Sequence, residues 1–174
     1  MYRITRIARP LFLTLLASAT HALAADANRP TNWQSKTSKD AMSDESTRSV
    51  WAVSTNDVQL EFPYNNQPVW ARMVILQART GPVVGVDTSA GQLWCERPCK
   101  VRVRFDERPA KEWDATRTDV AAGVSAYGFK RGAEFVHEVQ SASRIRVEAT
   151  YFKMGTRIFT FEPGKLPETF SRKP

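Results

Sequence analysis

Cys95 and Cys99 are the only cysteines in the chain, separated by Glu96, Arg97 and Pro98. Thiols at this spacing have three chemistries open to them. A disulfide would staple a tight turn between Gln92–Cys95 and Lys100–Asp106. Closing so short a loop contributes only about 2 kcal/mol on chain entropy, enough to set the register of a hairpin but not to hold a domain. A zinc site needs four ligands, or three and a water, from Cys, His or carboxylate, and no histidine stands nearby. A thioredoxin-like redox pair has two intervening residues and a βαβ setting; neither is present here. The disulfide is the expected state and free thiols are the alternative. No metal and no cofactor is expected.

Other residues capable of catalysis are sparse. His137 is the one histidine outside the first thirty residues, next to Phe135 and Val136 on a helix candidate, and a structural role is expected of it. A Ser-His-Asp site needs a positioned base and an oxyanion hole, and no G-x-S-x-G elbow occurs. Paired carboxylates do glycoside chemistry at separations of roughly 5–9.5 Å. Asp106 and Glu107, adjacent on an extended chain, would face opposite ways, whereas Glu112 and Asp114 would share a face flanking Trp113. No catalytic residue is assigned, and the chain is not expected to be an enzyme.

The densest positive charge lies on Lys100, Arg102 and Arg104, which alternate with Val101, Val103 and Phe105. Period-two alternation signals a strand with one buried and one wet face, and it places the three cations about 7 Å apart in a row. Arg144 and Arg146 repeat the arrangement later. If the two strands are neighbours, the five side chains merge into a patch able to meet lipid head groups, glycans or an acidic partner. The alternative is a solvated face with acids opposite, for which Glu148 and Glu162 are available. Nucleic acid is not expected, because no exposed aromatics interleave the basic row at stacking spacing.

The elements that must position these residues are short and extended. The 174-residue chain carries 25 basic and 18 acidic side chains, a net charge of +7. Arg3, Arg6 and Arg9, the apolar run Leu11–Ala17 and Ala22-Leu23-Ala24 read together as a secretory signal peptide, residues 1–24, cleaved after Ala24. The apolar run is too short to cross a bilayer of about 30 Å. Cleavage removes three arginines and no acid, leaving 150 residues with a net charge of +4. Such a chain can bury one core. A periplasmic or secreted location follows, with nothing spanning the membrane after cleavage, and oxidising compartments are where disulfides persist.

Residues 25–32 read as a flexible start, 33–163 as one domain and 164–174 as a C-terminal tail. Within the domain, strands are expected at Trp33–Thr37, Ser49–Val53, Val58–Phe62, Val69–Arg79, Val83–Val86, Lys100–Asp106, Lys111–Ala115, Val124–Phe129, Ser143–Phe152 and Arg157–Glu162. Thr116–Gly123 reads as irregular. Gly132–Ser141 is the one helix, with Phe135, Val136, Val139 and Ala142 on one face. Short alternating strands with turns at this spacing predict an all-β fold with one short helix, an antiparallel β-sandwich or partly open barrel. Most of the five tryptophans should be core, with one or two exposed near Tyr64 as a platform for a sugar or a partner.

Several short motifs carry a resemblance: Trp33, Ser38–Asp44, Phe62-Pro63-Tyr64, Gly91-Gln92, the two cysteines, Val103–Asp106, Tyr151-Phe152, Gly155 and Phe159-Thr160-Phe161. The pattern resembles a family of small exported bacterial proteins, mostly of unassigned function. More distantly it is similar to the invasion-associated locus B proteins and to accessory periplasmic proteins of the type VI secretion system. The resemblance implies an exported β-sandwich with a stapled hairpin and a role in the cell envelope or in secretion; it brings no catalytic residue. The expected function is that of a non-enzymatic binding or accessory protein acting through a protein partner. The alternatives are a binder of an anionic envelope lipid or glycan through the basic face, and an inhibitor or immunity protein for an envelope hydrolase. Alkylating the exported protein with and without prior reduction should give masses differing by two alkyl groups; equal labelling would mean free thiols.

Overall fold

The computed structural model describes residues 29–39, 42, 44, 46–121 and 124–171. The expected signal peptide, residues 25–28 of the flexible start, residues 40, 41, 43 and 45 of the Ser38–Glu45 turn and the last three residues lie outside them. Among the described residues nine strands form a single antiparallel sheet: β1 (Gln34–Lys39), β2 (Ser46–Val53), β3 (Ala71–Ala78), β4 (Gly81–Thr88), β5 (Lys100–Phe105), β6 (Lys111–Ala121), β7 (Val124–Phe129), β8 (Ile145–Tyr151) and β9 (Gly155–Phe161). Helix α1 (Gly132–Ser141) joins β7 to β8, and α2 (Glu168–Ser171) is a single turn near the C-terminus. The spatial order is β1-β2-β3-β4-β7-β6-β5-β8-β9.

Alternation puts each strand's apolar row on one side of this sheet. Val101, Val103 and Phe105 of β5 and Ile145, Val147, Ala149 and Tyr151 of β8 are buried, as are Met73 and Ile75 of β3 and Phe159 and Phe161 of β9. The sheet therefore curls around its own apolar face. It does not close strand to strand. The loop after β2 meets the outer edge of β9 instead: the Thr55 amide donates to Thr160 O at 2.7 Å. Asn56 adds two bonds, accepting from the Thr160 amide on Oδ1 (2.7 Å) and donating from Nδ2 to Ile158 O (2.9 Å). The all-β expectation holds, in the form of one curled, unclosed sheet.

Helix α1 fills the interior at one end. Phe135, Val136 and Val139 are buried, and Phe135 stacks on Phe129 with ring centroids 4.3 Å apart and meets Trp113 and Phe105 edge-on. Its first residue must be glycine, since a Cβ on Gly132 would lie 1.9 Å from Pro82 O. Trp113 is the one tryptophan in the fully buried core, while Trp33 and Trp70 are half-buried.

Three expectations are corrected. Val58–Phe62 is not a strand: Val58 makes one bridge to Val69, Leu60 turns inward, and the Tyr64 amide donates to Glu61 O in a turn that leaves Phe62 84% exposed. Alternation is present there, but among the described residues no strand lies alongside to pair with it. Thr116–Ala121 is not irregular, because β6 runs unbroken for 11 residues. Its outer half pairs with β7 away from the core, so polar residues suffice and no apolar alternation marks it. The cysteines do not staple a hairpin, as the next subsection describes. A second, single-turn helix also follows the sheet. The segment read as a tail carries two buried side chains, Leu166 and Phe170, and Gln140 Nε2 donates to Phe170 O. Phe135→Ala should cost about 3–5 kcal/mol in chemical denaturation; a loss under about 1 kcal/mol would mean that α1 does not complete the core.

Candidate functional site

Strands β5 and β8 are neighbours, with Arg104 opposite Arg146 and Val103 opposite Val147. The basic residues read from the sequence are therefore brought together on the outer face of the sheet. Carboxylates come with them. Lys100 pairs with Glu112 at 3.0 Å, Arg102 with Glu148 at 2.9 Å and Arg104 with Glu107 at 2.9 Å. Glu107 also takes Arg146 at 3.2 Å and Arg144 at 3.5 Å, and Arg144 pairs with Glu162 at 2.6 Å. Each of the five cations has a carboxylate partner, Glu148 and Glu162 among them. Exposed pairs of this kind contribute little to stability because water screens them, so they neutralise the face more than they hold the fold. Hydrogen bonds to Glu112 and Glu162 push the Lys100 and Arg144 pKa values up. A shallow groove of 460 Å³ runs along this face between Arg102, Arg104, Arg146 and Ile158.

Asp106 anchors one end of the face. It takes a left-handed backbone (φ 50°), and its Oδ1 accepts from the amides of Ser143 (2.8 Å) and Arg144 (2.9 Å). The bond from Arg144 N–H, offset in part by desolvation, holds its carboxyl below the usual range.

The second candidate region surrounds the disulfide. Cys95 and Cys99 are bonded, with Cα atoms 5.2 Å apart. Gln92–Trp94 lies along the end of β8: Leu93 bridges Tyr151, the Trp94 amide donates to Thr150 O at 2.7 Å, and the Phe152 amide donates to Gln92 O at 2.9 Å. β5 lies antiparallel to the same strand further along. The two segments thus run in the same direction in one lane, and Cys95–Cys99 is an excursion out of that lane. The bond closes the excursion at its base.

Leu93 shows how the lane is held on the side away from β8. Its amide donates to Ser125 Oγ at 2.7 Å, and its carbonyl accepts from Arg117 Nε at 2.6 Å. The single O–H of Tyr127 is shared between the carbonyls of Trp94 (2.8 Å) and Thr150 (3.2 Å), and burial pushes its pKa up to about 12. Gly91 (φ 88°) admits this packing, since a Cβ there would lie 2.6 Å from the Tyr151 ring. On the outside, Trp94 and Phe152 are 42% and 40% exposed with ring centroids 5.2 Å apart. Clefts of 790 and 300 Å³ flank the excursion, sharing Trp94, Cys95, Glu96 and Pro98. Sequence reasoning singled out the cysteines but not this aromatic pair. The adjacency of Tyr151-Phe152 to a buried strand was the available signal. Glu112 and Asp114 are both exposed, Glu112 paired with Lys100 at 3.0 Å and Asp114 opposite Lys100 in the ladder, and His137 is exposed on α1. Among the described residues no group of three or more His, Cys, Asp or Glu side chains is placed to hold a metal. Nor is any helix among them long and apolar enough to cross a membrane.

No protein-family model matches this chain, and no curated protein matches it. Among solved structures, the fold is similar to invasion associated protein B from Bartonella henselae, at 16% identity and a TM-score of 0.46, over 76% of this chain and 84% of that one. The locus B part of the resemblance read from the motifs is met at this distant level, and nothing found bears on its secretion-system part. Nothing about the site follows from the likeness.

Asp106→Asn should be less stable than the parent protein at neutral pH. A carboxyl held below its ordinary pKa contributes stability above about pH 4, which is lost as pH falls through the folded-state value. The difference between the two proteins in denaturant midpoint should therefore shrink below about pH 4. A difference that stays constant down to acid pH would remove Asp106 as an electrostatic anchor.

Proposed function

We propose that the protein is an exported binding protein that serves an envelope or secretion-linked process through a protein partner, and that it acts by binding and not by catalysis. The observation that carries this reading is the Trp94–Phe152 pair. Two large aromatic side chains are left half-exposed beside an excursion closed by a disulfide. Exposed aromatics on a rigid base lose little conformational freedom on contact, which is why such residues dominate protein interfaces. Export is supported by the leader pattern of residues 1–24 and by the disulfide, which fits an oxidising compartment.

The rival reading, an anionic lipid or glycan on the basic face, has less support. A ligand there has to displace a carboxylate from each of Lys100, Arg102, Arg104, Arg144 and Arg146. The reading of an inhibitor of an envelope hydrolase differs only in the partner's identity, and the same experiment addresses it.

The test is in-cell crosslinking of the full-length precursor, with a photoreactive residue placed in turn at Glu96, Ile158 and Lys36. Glu96 beside the aromatic pair should capture one recurrent envelope or secretion protein, and the other two positions should not. Capture of the same abundant background from all three positions would overturn the protein-partner reading.

A further inference from the structure

Strand β6 changes partner along its length. Lys111–Asp114 pairs with β5, and the Ala115 amide still donates to Cys99 O at 3.0 Å. From Ala115 to Asp119 the strand pairs with β7 on one side, and among the described residues no strand lies on the other. The alternation of the backbone fixes which groups face the open side. Asp114 O accepts from the Lys130 amide at 3.0 Å, toward β7, while Ala115 N–H points toward β5. In a regular strand every second residue points the same way, so the main chain of Arg117 faces the side that β5 would have filled. The stapled excursion has left that lane, and its departure opens an edge.

This edge and the excursion are the two walls of the 790 Å³ cleft. Trp94 stands on one wall, with Glu96 and Arg97; Ala115, Arg117 and Lys130 stand on the other. Arg117 is committed, through Leu93 O and an ion pair with Asp119. Arg97 and Lys130 are exposed, and among the described residues neither side chain has an ion pair or hydrogen bond. The basic face has its cations matched by acids; this cleft has cations to spare against the single carboxylate of Glu96.

We propose that the cleft is the docking site for an extended acidic segment of the protein partner. The segment adds as a short strand to the open edge of β6, sets carboxylates against Arg97 and Lys130, and lays an apolar side chain on Trp94. A polypeptide is the occupant because the open edge presents donors and acceptors at strand spacing, which another main chain matches directly. Its acidity follows from the unpaired cations. The inference rests on the protein-partner reading above and names what that partner presents.

The experiment is selection of a displayed library of random linear peptides on the purified, oxidised protein. Expected are winners rich in Asp and Glu around an apolar residue, whose binding weakens about tenfold or more in Arg97→Glu/Lys130→Glu and on raising the salt. Arg102→Glu/Arg104→Glu should bind them as the parent does. The Arg117 amide should gain protection from hydrogen exchange on binding, a signal that charge attraction alone does not produce. Both reversed positions are exposed and unpaired, so the fold should survive, and Arg97→Gln/Lys130→Gln gives a milder version of the same comparison. Winners without acidic residues, affinity untouched by Arg97→Glu/Lys130→Glu, or binding of polygalacturonate in place of peptides would each overturn the proposal. If peptides fail while crosslinking from Glu96 still captures one envelope protein, the acidic-strand inference falls and the partner reading stands. If that crosslinking fails as well, both fall.

Discussion

One edge of β8 has to hold two separate pieces of chain. Val147 faces Val103 of β5, and Tyr151 faces Leu93. All four are buried, so neither pairing can be given up without exposing apolar surface. The chain between the two pairings is longer than the lane can hold, and the surplus has to leave it. Cys95–Cys99 is that surplus, and the disulfide closes it at its base. The exposed Trp94 at its edge, the side-chain bonds that satisfy Leu93 and the open side of β6 all follow from this single mismatch of length.

A departing strand leaves main-chain groups without partners, and buried polar groups are costly unless paired. On the inner side the cost is met by Ser125, Arg117 and Tyr127, which reach from β6 and β7 to the carbonyls and amide of Leu93 and Trp94. On the outer side water can solvate the groups, so the edge of β6 is free to remain open. The same division between inside and outside separates the two charged regions. Acids on β6, on β8 and in the turn after β5 fall within reach of the basic row of β5, and Glu162, just past β9, reaches Arg144 just before β8. Arg97 and Lys130 stand on the excursion and just past β7, where no acid among the described residues pairs with them. Screening by salt further reduces what exposed charges contribute over distance, so a cation with no carboxylate in contact is the one left to meet an incoming ligand.

Much of the architecture was legible in local pattern. The bounds of α1 follow from the spacing of Phe135, Val136 and Val139, and β8 and β9 from the strict alternation of Ile145–Tyr151 and Ile158–Phe161. The misses share a cause. Val58–Phe62 alternates like a strand but finds no neighbour, and Thr116–Ala121 lacks alternation but finds one in β7. Strand formation depends on a partner that is often distant along the chain, and local periodicity does not report it. The site was half legible: the cysteines, the five basic residues and two of their acids, Glu148 and Glu162, were visible, but not Glu107 and Glu112 in that role or the Trp94–Phe152 pair.

What the sequence by itself determined is therefore short-ranged: an antiparallel β fold from period-two rows, a helix from its apolar face, a bonded cysteine pair from its spacing. What only the tertiary structure decided is which distant residues meet. Arg102 and Glu148, or Leu93 and Tyr151, are far apart in the chain and adjacent in space. Hydrogen bonds and ion pairs act over a few ångströms, so the charge of a face and the openness of an edge exist only once the sheet has set those distances.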